Sequence, residues 1–563
     1  MSVTMENDKS AEEFSNGTTQ SISINLNTLN AQPNNEPVKR KKAKQCLSKF
    51  NISKTNNSFT LALLFHTLAI IYIAAAISHW YTTGAHDIDW ENGLGLLLII
   101  SSLYYGYKFL KFIIKYVKCD FTYLNQFTIL QHTRSITLGI FFACFFVYIA
   151  IDTQNNRQRL LPIFGICSFI AAGYALSKHP SHVNWNTVVS GLALQIAIGL
   201  LTIRWSSGKY VIQVVGRLVD NFFSYAYIGA EVTYGEELIK VFAVFAFKVL
   251  SVIFFMCFVI EILFYYGIIQ VVVLRLGWVL QKLLGTTPAE SVNACASVFL
   301  GMTEAPIIIK PYLSTLTESE MHAVMMGGFS TVAGTVFAAY TSFGIDASYI
   351  ITAAIMSAPT ALSFSKLIFP ETEEPFTKNQ EITAPSIEKN GCNVVDAACR
   401  GAQFAVQMVS AIIANIIAFV SFVAFINALL SWLGILVGFE EFNFEYILGK
   451  TLIPIAWVLG TEFDECETVA KLIGLKITTN EFIAYKKLGS LKTEHKLSPK
   501  SEIIATFALC SFANPGSMGS MIATLTTLAP SQQTSIVKNI FRAFVGGTVT
   551  TLLTAAIASL LMT

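Results

Sequence analysis

Charge is what this sequence has least of. Asp, Glu, Lys and Arg make up 13% of its 563 residues and sum to +2, so there is no broad field of one sign to hold nucleic acid. Its ten cysteines stand singly, with no Cys-x-x-Cys pair and no zinc spacing, which reads as isolated, buried thiols. No histidine cluster, Asp-Asp-x-x-Asp run or other metal-ligand pattern occurs, and His66, His132 and His179 lie outside the segments singled out below. A membrane-embedded transferase would therefore have little to work with, and neither an enzyme nor a cofactor is expected. The N-terminal region also lacks the apolar core of a signal peptide.

What is present is grease. Hydrophobic residues are 53% of the chain and the mean hydropathy is +0.56, outside the soluble range. From Ser58 onward, apolar runs such as SFTLALLFHTLAIIYIAAAISHW, GLGLLLIISSLYYGYKFL and SITLGIFFACFFVYIAI follow one another. A bilayer core needs about 20 such residues per helix. The expectation is an all-α polytopic membrane protein with about 11 transmembrane helices. Residues 1–57, rich in Ser, Asn and Thr, read as a disordered tail. Its basic run Lys39 to Lys44 predicts a cytoplasmic N-terminus. The sequons at Asn16, Asn51 and Asn56 would then stay unglycosylated. The C-terminus is expected outside, and the membrane is expected to be the plasma membrane.

The remaining divisions follow from pattern. Three spans occupy 58–157, scaffold and interfacial helices 158–286, a first repeat 287–367, a loop and scaffold helix 368–442, and a second repeat 443–563. Amphipathic stretches at Ser207–Glu237, Val271–Gly285 and Phe444–Gly460 suit helices lying along the interface. After the second and third of these the same order of parts recurs: two half-length segments, then two longer apolar runs. Such interrupted segments in two halves indicate an inverted repeat with its site between the halves. The half-length pairs read as re-entrant hairpins, whose tips must be buried in protein or line a wet cavity.

Each hairpin carries a glutamate at its joint, Glu304 in FLGMTEAPIIIKP and Glu481 in TTNEFIAY. A carboxylate at the centre of a membrane helix costs about 3 kcal/mol on insertion scales. It needs either an ion-pair partner, for which Lys310 and Lys486 are candidates, or a polar ligand aided by the following half-helix N-terminus. Asn514-Pro515-Gly516, inside the last-but-one run, should unwind that helix. Its twin, GGFSTVAGTV, is open between unwinding and close packing of small residues.

Taken together, FLGMTEAPIIIKPYL, GGFSTVAGTVFAAYTSFGI, SAPTALSFSKLIFPETEEP, INALLSWLG, TTNEFIAY and CSFANPGSMGS resemble the concentrative nucleoside transporters, over roughly residues 160–562. The three leading spans resemble the addition found in eukaryotic members. The resemblance implies a homotrimeric symporter whose hairpin-bearing domain moves against a fixed scaffold. Met302, Thr303, Glu304 and Val336 would face the base. Glu481, Asn514 and Ser517 would hold the ribose hydroxyls, with Phe512 alongside. Gly301, Met302 and Thr335 would set selectivity, and Met302, where many members have Gln, points to purines. The coupling ion would sit at Ser297, where sodium-coupled members carry Asn, with oxygens from Leu300, Thr331 and Val332; Asn293, one turn earlier, is expected to lie too far away to help. Sodium is favoured, with protons the alternative. A channel is the other reading, separated from a transporter by accumulation against a gradient.

Overall fold

The computed structural model describes most of residues 64–106, and then 127–154, 156–376, 393–439 and 441–562. The N-terminal tail, its basic run and its sequons lie outside the described residues. The chain divides into two compact units, up to Tyr105 and from Gly106 onward. In the first, helix α1 (66–82) brings the His66 ring within 5.9 Å of Tyr104 and 5.7 Å of Tyr105.

The second unit is helical, with no strand among the described residues. It opens with α2 (Phe127–Asp152), α3 (Leu161–Ala175), α4 (Trp185–Gly199), α5 (Ser206–Tyr234) and α6 (Ser251–Tyr265). There follow α7 (Ile268–Leu284), α8 (Pro288–Phe299), the single turn α9 (Ala305–Ile308), α10 (Glu318–Ser330), α11 (Gly334–Thr341) and α12 (Ala347–Ile368). The long α13 (Val394–Leu436) leads to α14 (Phe444–Val458), α15 (Cys466–Thr478), α16 (Glu481–Thr493), α17 (Pro499–Leu509), α18 (Pro515–Leu528) and α19 (Gln533–Leu561). Seven helical stretches among the described residues are long and apolar enough to cross a membrane, and the protein is an all-α polytopic membrane protein.

Part for part, α7 to α12 match α14 to α19: an amphipathic helix, a two-armed hairpin, a broken helix and a long terminal helix. The two sets interlock, α10 packing on α19 and α17 on both α12 and α19. Small residues permit the close crossings: a Cβ on Gly191 of α4 would overlap Ser363 of α12, and one on Gly547 of α19 would come within 2.6 Å of Phe329.

Local chemistry sets where each helix begins. Thr287 and Thr317 close capping boxes with Glu290 and Glu320 at the starts of α8 and α10. The two boxes are tied together, because the Thr287 hydroxyl donates to Glu320 at 2.7 Å. Lys366 of α12 locks the corner, 2.8 Å from Glu290 and 3.2 Å from Glu371.

Two expectations are amended. The run HAVMMGGFSTVAGTVFAAYTSFGI, which has the length of one span, is broken between Ser330 and Gly334, so the small residues there unwind the helix. The second arm of the first hairpin is no half-helix either: α9 has four residues and gives way to a 3₁₀ segment, Lys310–Thr315. Pro311 within that segment has no N–H to continue an α-ladder.

Candidate functional site

The two hairpin tips and the two helix breaks converge on one cavity of about 370 Å³, within the range of small-molecule sites. Gly301, Met302, Thr303, Glu304, Thr335, Val336, Glu481, Phe512, Asn514 and Ser517 all line it. The residues named from motif thus meet in space, though their sequence positions span more than 200 residues.

At the first tip, α8 ends at Phe299 and the chain turns through Gly301 to Glu304. Both Glu304 carboxylate oxygens are shielded and neither makes a well-formed hydrogen bond. The carboxylate curls back over Gly301, where a Cβ would overlap Oε2; only glycine leaves it that room. Lys310, the candidate ion-pair partner, is exposed, and Glu304 has no ion pair among the described residues. The helix-dipole support expected from the second arm is also missing, since a four-residue turn supplies almost no aligned peptides.

The second tip is built differently. Asn480 caps α16, its Oδ1 accepting from the Ile483 amide at 3.0 Å, and Glu481 is the first residue of that helix. Glu481 is 2% exposed. Its Oε2 accepts from Asn514 Nδ2 at 2.8 Å. Asn514 in turn caps α18, accepting from the Ser517 amide at 2.8 Å, with Pro515 at the first helical position. One side chain therefore starts a helix and holds a carboxylate. Lys486 is exposed and does not pair with Glu481. The buried lysine nearby is Lys476 on α15, 1% exposed and within electrostatic reach of Glu481 but not ion-paired with it. Tyr340 of α11 completes the surroundings, its ring 4.5 Å from that of Tyr485.

The two breaks touch. The Phe512 amide donates to the Thr331 carbonyl at 3.1 Å, joining the unwound parts of the two repeats by a backbone bond.

Beside the first break lie Ser297, Leu300, Thr331 and Val332, each about 1% exposed or less. The Thr331 hydroxyl donates to the Ser297 carbonyl at 3.0 Å and to Gly327 at 3.1 Å, while the Ser297 hydroxyl donates to the Asn293 carbonyl at 2.9 Å. A Cβ on Gly327 would lie 3.6 Å from Asn293 Nδ2 and 3.9 Å from Ser297 Oγ. Asn293 and Ser297 thus both border Gly327 of α10, and Asn293 Nδ2 donates to the Val324 carbonyl at 3.3 Å. Its Oδ1 is buried without a hydrogen-bond partner. A cluster of neutral oxygens, one of them unused, suits a hard cation of low charge.

Sequence reasoning missed one wall of the cavity. Phe404, Gln407, Met408, Asn415 and Phe419 of α13 line it, yet their segment reads as an ordinary apolar span. Gln407 and Asn415 were the available signal, two carboxamides on one face of a greasy helix.

Residues 164–237 match the family model for the Na+ dependent nucleoside transporter N-terminus, 246–347 that for nucleoside recognition (gate), and 349–559 that for the Na+ dependent nucleoside transporter C-terminus. Sodium/nucleoside cotransporter 2 of Rattus norvegicus is 39% identical over 442 residues, 76% of this chain and 66% of that protein. Sodium/nucleoside cotransporter 1 of Oryctolagus cuniculus is 37% identical over 521 residues, 89% of this chain and 77% of that protein. Solute carrier family 28 member 3 of Eptatretus stoutii is 35% identical over 92% of this chain and 78% of its own. Among solved structures, CNTnw in an inward-facing substrate-bound state superposes with a TM-score of 0.67 at 34% identity, covering 72% of this chain and 97% of that one. A doubly substituted CNTnw in an outward-facing state gives 0.69 at 35% identity, over 72% and 98%. The chain belongs to the family of Na+-dependent, concentrative nucleoside transporters.

Proposed function

We propose that this protein is a sodium-coupled, concentrative nucleoside symporter of the plasma membrane, with a purine-leaning range. The observation that carries the reading is the cavity itself. Two glutamates at matching places in the repeats border it, and among the described residues neither is ion-paired with a lysine. A nucleoside supplies what they lack, because a carboxylate accepts from two neighbouring hydroxyls and such charge-assisted bonds are roughly twice as strong as neutral ones.

In this reading Glu481, fixed by Asn514, and Ser517 at the start of α18 hold the ribose, with Phe512 beside it. Met302, Thr303, Glu304 and Val336 receive the base, and Gly301, Met302 and Thr335 set selectivity. Met302 offers adaptable contact in place of an amide's hydrogen bonds, which favours the larger purine ring. Sodium binds at Ser297, Thr331 and the carbonyls of Leu300 and Val332. The Thr331 to Phe512 backbone bond gives the coupling a physical route, since it joins the ion's helix break to the one that positions Asn514. Linkage requires that each ligand strengthen the other's binding by the same factor.

The hairpin-bearing part moves as a body against a trimeric scaffold that includes α13. Forty-three residues long, that helix spans about 65 Å and presents large apolar side chains such as Phe422, Phe425 and Trp432 outward. The N-terminus lies in the cytosol and the C-terminus outside.

The test is uptake of labelled adenosine, inosine, uridine and cytidine into cells expressing the chain, in sodium or choline buffer at two pH values. Sodium-dependent accumulation of adenosine and inosine against a gradient is expected. Uptake that follows pH and ignores sodium would favour the proton alternative, and uridine carried far better than inosine would refute the purine preference.

A further inference from the structure

The hairpins supply only part of the cavity, and the wall of α13 that faces them carries chemistry of its own. Gln407, Ala411, Asn415 and Phe419 recur every four residues on one face of the helix and line the cavity. Asn415 makes no hydrogen bond to the protein among the described residues. In so apolar a helix, long enough to cross a membrane, an unpaired carboxamide is costly unless it meets a polar guest.

Its surroundings indicate which part of the guest it meets. A Cβ on Gly516 would lie 3.4 Å from Asn415 Nδ2 and 3.3 Å from Asn514 Oδ1, so the two amides flank the start of α18. Asn514 is committed, its oxygen to the Ser517 amide and its nitrogen to Glu481; Asn415 is uncommitted. The absence of a side chain at Gly516 lets α13 come this close.

We propose that Asn415 is a specificity-determining contact for the sugar of the transported nucleoside, reaching it from α13 beside Asn514, across Gly516. A carboxamide both donates and accepts, as a hydroxyl does, so it suits whichever sugar hydroxyl Glu481 leaves unclaimed. The inference rests on the nucleoside reading above and extends it to a residue outside the hairpins and broken helices.

The test measures KM and maximal uptake rate, normalised to surface abundance, for adenosine and its 2′-, 3′- and 5′-deoxy analogues in wild type, Asn415→Ala and Asn415→Ser. Loss of one hydrogen bond should raise the adenosine KM of Asn415→Ala about 10-fold with little change in maximal rate, and Asn415→Ser should recover part of it. For one of the three analogues, wild type and Asn415→Ala should coincide, since the missing hydroxyl leaves nothing to lose. A variant that fails to reach the surface is read instead by thermal stabilisation of the solubilised protein with the same four ligands, where the same pattern is expected. An unchanged KM, or an equal loss for all four ligands, overturns the proposal. If wild type carries no nucleoside at all, the functional reading fails; if wild type does and the Asn415→Ala losses are uniform, only this inference fails.

Discussion

The two glutamates occupy matching places in the repeats, yet replacing each by glutamine should change stability in opposite directions. Glu304 has no ion pair among the described residues, and its carboxylate oxygens have only poorly aligned contacts to Thr303 and to the amides of its own turn. Glutamine at 304 removes up to about 3 kcal/mol of intramembrane charge penalty and weakens only those poorly aligned contacts. Glu481 accepts from Asn514 at 2.8 Å and lies near the buried ammonium of Lys476. Glutamine there weakens a charge-assisted bond worth about 1.5–3 kcal/mol and removes the anion nearest a buried lysine. Without nucleoside, the melting temperature of the detergent-solubilised protein should therefore rise for Glu304→Gln and fall for Glu481→Gln. The separation should be about 4–5 °C, at about 1 °C per kcal/mol for a chain of this length. Uptake should fall in both, by about 10-fold or more for Glu304→Gln if one charge-assisted contact to the guest is lost. The assay is differential scanning fluorimetry beside uptake at matched surface abundance. A Glu304→Gln protein that melts lower and transports normally would refute the reasoning, because Glu304 would then be a structural group with a partner of its own.

Other perturbations follow from the same geometry. Lys366→Met strips the cation from Glu290 and Glu371 and should cost about 3–5 kcal/mol, seen as loss of folded protein after extraction. Gly301→Ala forces the Glu304 carboxylate out of its fold over the turn and should cut uptake while leaving surface abundance near normal, measured by surface biotinylation. Thr331→Val removes a hydroxyl that bonds two carbonyls beside the ion position; the sodium concentration for half-maximal uptake should rise several-fold, read from uptake across a sodium series. Asn514→Asp keeps the cap on α18 but turns a donor into a carboxylate facing Glu481. It should abolish uptake more completely than Asn514→Ser, in paired transport assays.

How much of this was legible beforehand differs from element to element. Spans such as Trp185–Arg204 and Ala347–Ile368 follow from composition alone, because lipid leaves a long apolar chain few choices besides helix. The break at Asn514-Pro515 was legible too, since a capping residue followed by proline starts a helix wherever it stands. The break after Ser330 was not: glycine and serine serve equally for unwinding and for tight crossing, and only the partner α19 and the bond from Phe512 decide. The residues of the candidate site were reachable from motif, but not their company. Lys476, Tyr340 and Asn415 acquire meaning only by proximity, although Tyr340 lies within the motif GGFSTVAGTVFAAYTSFGI.

The sequence by itself determined that this protein lives in a membrane, that it is helical, and that its two halves repeat an interrupted pattern with a glutamate at each joint. Those features depend on hydrophobicity and on backbone valence, which act locally. Tertiary structure alone decided that Glu304 stands without an ion pair among the described residues while Glu481 is held by Asn514, and that a carboxamide from α13 lines the cavity beside Asn514. Such pairings depend on distances between segments 33 or more residues apart, which the packing of the helices fixes and no local rule encodes.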